Sequence, residues 1–288
     1  MPQTTDIREI GFRQGRRLAN MDAQARMAFI AEGLPVILDS ARSLLTASQA
    51  LKGFSREAEI LEGHALEEFA TILILVDIAR CPAKLKASRI GPMMAAFYSH
   101  LARLIYADAQ SWKPLSAAQL QDYVDSHRPS HDLEGDYGEY ILPNQMIWRR
   151  EALLYADIAG DEDTDLVWHA PGAPGFGPFA FDPLAYRVVD ALEALGLFTA
   201  EGLAILEEIW GAVTFEGERC WSETGDLLQA TLEALNARGL ITGRAADKHV
   251  AVLADGWQMP MYMMDFRPIQ RTLEEMRELR DASQPWEY

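Results

Sequence analysis

Apolar residues recur at three- and four-residue steps, without strand-like alternation, along residues 22–51, 55–80, 91–110, 116–126 and 143–159. This spacing predicts helices throughout the first half of the chain. Breakers separate them at Lys52-Gly53-Phe54-Ser55, Cys81-Pro82, Gly91-Pro92 and Lys113-Pro114, with Ser55 suited to an N-cap. Short connections between long helices favour antiparallel packing, so residues 1–160 read as an up-and-down helical bundle. The polar, turn-rich stretch 127–140 reads as an exposed loop. Residues 161–183 combine acidic side chains with repeated Pro and Gly that cannot continue a helix, and mark a linker. Beyond it the pattern predicts helices over 184–195, 199–213 with Thr199 as cap, and 222–237 ending at Arg238-Gly239. The runs 240–242 and 250–253 read as a short hairpin, and 269–282 as a last charged helix. Residues 184–288 thus resemble a small winged-helix-like α+β domain. The fold class is mainly α, with no internal repeats.

Composition narrows what such a fold can do. The 288 residues carry 43 acidic against 26 basic side chains, a net charge of −17, so broad electrostatic binding to a phosphate backbone is excluded. Only five cations are lysines (Lys52, Lys84, Lys86, Lys113, Lys248); the remaining arginines suit bidentate recognition of phosphate or carboxylate. Two distant cysteines, Cys81 and Cys220, offer neither a disulfide framework nor a zinc ribbon. That agrees with a reducing cytoplasm. No apolar run approaches the roughly 20 residues needed to span a bilayer, so the expectation is a soluble, unprocessed protein with no membrane partner.

Three ionisable residues fall where their helices should be apolar. Glu68 occupies the seam Leu61, Ala65, Glu68, Ile72, Leu75, Ala79; His100 the seam Met93, Phe97, His100, Leu104, Ala107; Arg150 the seam Pro143, Ile147, Arg150, Leu154. An unpaired charge in a core costs several kcal/mol, so Glu68, His100 and Arg150 are expected to meet. Such a group suits general acid/base work beside an anion-holding guanidinium. The same residues could equally staple the bundle as structural polar pairs. Glu67, a helical step from Glu68, reads as solvated, and His64 as surface or partner-facing. His64, Glu68, His100 and Asp157 include metal-ligand types, but the Glu-x-x-His pairs of di-iron bundles are absent. No metal or other cofactor is expected.

The stretches REAEILEGHALEEFATILILVDIAR (residues 56–80), FYSHLARLIY (97–106) and WRREALLYADI (148–158) resemble the abortive infection protein V (AbiV-type) family, grouped with the HEPN helical superfamily. The matching positions are Glu67 and Glu68, His100 and Arg103, and Arg150, Leu154, Tyr155 and Asp157. The family's Glu-Glu pair usually continues with Gly or Ala and Lys, whereas Phe69, Ala70 and Thr71 follow here. The resemblance implies an HEPN-like bundle, a homodimer and a role in antiviral defence as a toxin. It places His100, Glu68, Arg150 and Arg103 as catalytic candidates of a ribonuclease, with Tyr155, Asp157, Glu67 and His64 as substrate-binding candidates. RNA is one expected partner. A phage or translation protein bound without catalysis is the alternative, and a transcriptional regulator a third.

Many superfamily members use Arg-x(4–6)-His. The bundle lacks it, and Arg244-x(4)-His249 falls in the expected wing, where it reads as coincidence. The expected recognition helix carries Glu223, Asp226 and Glu233 with basic charge only at Arg238, so phosphate would repel it. The Met- and aromatic-rich strip 257–266 reads as packing against the bundle, with partner docking as the other option.

Overall fold

The computed structural model describes residues 7–134, 140–159, 166–172, 184–218 and 221–283. Among them are twelve α-helices: α1 (Ile7–Ala19), α2 (Ala23–Ala50), α3 (Ser55–Arg80), α4 (Ala83–Tyr98), α5 (His100–Asp108), α6 (Ala117–His127), α7 (Gln145–Leu154), α8 (Leu184–Ala194), α9 (Ala200–Ile209), α10 (Glu223–Ala237), α11 (Asp247–Gly256) and α12 (Leu273–Ser283). Two antiparallel hairpins complete it: β1 (His131–Glu134) with β2 (Tyr140–Pro143), and β3 (Asp157–Ala159) with β4 (Val167–His169). The mainly helical class is as the periodicity predicts. No helix is long and apolar enough to cross a membrane among the described residues.

Helix α3 is the axis. Every residue from Phe69 to Arg80 is buried, because α2, α4, α5, α7, α8 and α9 all pack around it. One apolar cluster runs from Leu18 on α1 through Met27, Ile72 and Val188 to Met264, so the first and last parts of the chain share a core. The linker expected at 161–183 lies largely outside the described residues.

Local chemistry explains the ends. Asp22 accepts from Ala25 N at 2.7 Å at the start of α2, and Ser116 and Thr199 cap α6 and α9 in the same way. Ser55 does not cap α3; Phe54 occupies the N-cap position without a side-chain bond. Arg26 donates to the carbonyls of Leu18, Ala19 and Met21, satisfying the open end of α1.

Five expectations are corrected. Helix α1 lay outside every predicted helix. The third predicted helix, 91–110, is two: α4 passes straight through Gly91-Pro92 and the chain breaks at Ser99 instead. Gly91 is a contact point, since a Cβ on Gly15 of α1 would lie 2.9 Å from the Gly91 Cα; only small residues allow that approach. The loop expected at 127–140 contains β1 and the start of β2, anchored by Ser130 N donating to Ile269 O at 2.8 Å. The fifth predicted helix stops at Leu154, and residues 157–159 form β3 instead. The hairpin expected over 240–253 does not form: Leu240 N closes the end of α10 on Leu235 O, and Val250 and Leu253 lie within α11. A four-residue apolar run fits either state by pattern; the wing of the winged-helix reading is therefore a helix.

The strip 257–266 packs inward. Trp257, Gln258, Met259, Met261 and Tyr262 are buried, and a polar network binds them to α3. Asp77 accepts from Arg80, from the Tyr106 hydroxyl and from Met261 N, while Arg80 donates to Gln258 O at 3.0 Å and lies over the Trp257 ring at 4.2 Å. The docking option for this strip is excluded by its burial.

Candidate functional site

Three helices bring one carboxylate, one imidazole and two guanidiniums together. The carboxylate is Glu67, not Glu68. Glu67 is 3% exposed on α3. Its Oε2 lies 2.5 Å from His100 Nδ1 on α5, its Oε1 accepts from Arg150 Nε on α7 at 2.8 Å, and Arg103 Nη1 on α5 reaches Oε2 at 3.4 Å. The reading of Glu67 as solvated is overturned, and so is that of Glu68 as the shared acid. The seam rule assumes a single buried face, whereas α3 has neighbours on all sides, so both adjacent glutamates project into protein.

The break at Ser99 sets the geometry of the imidazole. Ser99 caps α5, its hydroxyl accepting from Ala102 N at 3.3 Å, and His100 becomes the first residue of that helix. His100 is consequently not inside the bundle: its side chain is 51% exposed. With Nδ1 donating to Glu67, Nε2 is the ring nitrogen that carries the lone pair whenever the imidazole is neutral. Nε2 has no hydrogen bond among the described residues. Arg103 is fixed from behind, its Nε donating to Phe97 O at 2.6 Å and its guanidinium lying over the Phe97 ring. Arg150 also approaches Glu151 at 3.5 Å.

Burial works to raise the Glu67 pKa, but the hydrogen bonds and charges of His100 and Arg150 outweigh it and hold the carboxyl below its ordinary value. Glu68 moves the other way. Burial pushes it up, the Arg103 charge opposes that, and the Glu67 charge adds to it. Among the described residues Glu68 accepts no hydrogen bond. One buried carboxylate thus holds two guanidiniums beside an accessible imidazole, with Glu151 and Glu68 as further acids next to Arg150 and Arg103. Such an arrangement can bind an anion and move a proton at Nε2.

The other candidates fall elsewhere. His64 is half-buried on α3 and lines a cleft of about 490 Å³ that Glu67 and Arg150 also border. Tyr155 is exposed just past α7, and Asp157 is exposed on β3 with its Oδ1 accepting from Ile158 N; neither bonds to the cluster among the described residues. His64, Glu68, His100 and Asp157 form no metal-holding group there. Arg244 and His249 are a latch: Arg244 pairs with Glu193 and Asp190, His249 lies 3.6 Å from Asp190, and Arg42 joins the same acids from α2. The sequence reading missed the Asp77–Arg80–Tyr106 network; its one signal was an acid and a base three residues apart in an otherwise apolar run. The chain matches no protein-family model, no curated protein and no solved structure.

Proposed function

We propose that this protein is an antiviral defence protein of the abortive-infection type that cleaves RNA without a metal ion at the Glu67–His100–Arg103–Arg150 cluster. The observation that carries the reading is a half-exposed imidazole held at Nδ1 by a buried carboxylate that two arginines also contact. The AbiV-type likeness of residues 56–80, 97–106 and 148–158 supports it, with Glu67 as the engaged member of the Glu-Glu pair. In this mechanism His100 Nε2 takes the proton of a ribose 2′-hydroxyl as that oxygen attacks the adjacent phosphorus. The bond to the 5′-oxygen breaks, that oxygen takes up a proton, and a cyclic phosphate and a free 5′-hydroxyl result. Glu67 orients the imidazole and stabilises its charged form. Arg150 and Arg103 offset the charge that grows on the phosphoryl oxygens.

Controlled overproduction tests this. The wild type is expected to slow growth and fragment RNA, and His100→Ala to abolish both while unfolding within a few degrees of wild type, since half the side chain is already in solvent. Growth arrest with intact RNA overturns the cleavage reading.

One observation favours a second reading, in which the protein binds a phage or translation protein without catalysis. The hairpins present Tyr140, Ile141, Ile158, Val167 and Trp168 to solvent, Trp168 at 76% exposure, and apolar surface of this kind marks interaction sites. Under that reading Trp168→Glu relieves the arrest and His100→Ala does not.

A further inference from the structure

The cleft beside Glu67 has features of its own. It lies between α3, α5, α7 and α8, and neither His100 nor Arg103 lines it. Its volume of about 490 Å³ falls in the range of small-molecule sites, roughly 300–1,000 Å³. The walls are largely apolar, with Ile60, Leu66, Leu104, Met146 and Leu153 among them. Gly63 borders it in the middle of α3, a position where glycine weakens a helix. A Cβ built there meets nothing within 4 Å, so this glycine leaves space open rather than relieving a clash.

Arg150, one of three arginines lining the cleft, has donors to spare. Arg150 spends Nε on Glu67 and one Nη1 contact on Glu151; a guanidinium has five N–H groups, and the others have no partner among the described residues. Of the carboxylates on the same walls, Glu67 is engaged as above, Asp108 accepts from the Tyr123 hydroxyl, and Glu62 lies 3.2 Å from the Ser48 hydroxyl, which also faces Leu45 O. The remaining one, Glu59, is eight helical steps from Glu67, about 12 Å along the axis. Arg150, with N–H groups to spare, and a set of apolar side chains thus line the same cleft.

We propose that this cleft binds a small monoanionic amphiphile, a medium-chain carboxylate whose acid group pairs with the free edge of Arg150 while its apolar chain lies along Gly63. A planar carboxylate matches the guanidinium fork, and a single negative charge is better tolerated beside Glu67 than a dianionic phosphate. The proposal goes beyond the RNA-cleavage reading and does not depend on it, because binding is measured directly.

Calorimetric titration of the full chain with octanoate, octanol and octylamine tests it. Octanoate is expected to bind and to raise the unfolding temperature with concentration, with octanol and octylamine weaker by about tenfold or more. Arg150→Lys, which keeps the charge facing Glu67 but loses the fork, should weaken octanoate similarly. Gly63→Leu improves the helix and fills space in the cleft, so it should stay folded and lose octanoate binding. No octanoate binding, equal binding of octanol or octylamine, or unchanged binding in Gly63→Leu would each overturn the proposal. Loss of RNA cleavage in His100→Ala with octanoate binding intact separates the two readings.

Discussion

Glu67 and Glu68 are neighbours on α3, yet their carboxyl groups face opposite electrostatic settings. Glu67 gains more from His100 and Arg150 than burial removes, so its folded pKa lies below the ordinary 4.5. A depressed carboxyl stabilises the fold fully above that ordinary value and loses the contribution as pH falls through the folded one. Acid titration of stability should therefore fall below about pH 4.5 in the wild type and be flatter in Glu67→Gln. At neutral pH Glu67→Gln should cost about 2–3 kcal/mol, because it leaves two guanidiniums without their acid. Glu68→Gln should cost nothing or stabilise slightly, since burial already disfavours the charged form of this residue. Equal losses from the two variants in urea titrations would contradict the assignment of Glu67 as the shared acid.

At the scale of the element, backbone geometry decides where the site forms. The break at Ser99, not at Gly91-Pro92, starts α5 at His100 and turns the imidazole outward. Proline is tolerated in α4 where glycine lets α1 approach, so the same dipeptide that reads as punctuation serves as a contact. Gly196 shows a stricter demand. Its φ is +89° and a Cβ there would fall 2.1 Å from Leu240 O, where the chain leaving α10 returns to the end of α8. Gly196→Ala should cost about 3 kcal/mol or more, from backbone strain and overlap together. Gly53→Ala, with φ +88° but open space around it, should cost about 1–2 kcal/mol from strain alone. Urea titration of the pair separates the two contributions, and equal losses would refute the contact.

Over the whole molecule, the continuous core and the Asp77–Arg80–Tyr106 network join the last part of the chain to α3. The protein is expected to unfold in one calorimetric transition that tryptophan fluorescence and circular dichroism follow together. Asp77→Asn should lower stability by about 3–5 kcal/mol, because it leaves the buried Arg80 without its acid. Two separated transitions would show that residues 184–283 fold independently of the bundle. The sequence by itself determined the helical class, the places of α2, α3, α6, α8, α9 and α10, and the presence of ionisable side chains at His100 and Arg150 where the spacing reads as apolar. Those follow from period, which acts locally. Which of two adjacent glutamates they share, how exposed the imidazole is, and whether 250–253 is strand or helix were decided only by tertiary structure. Each depends on how many neighbours surround a helix and where its first turn is capped, and neither quantity is written in the spacing of residues along one element.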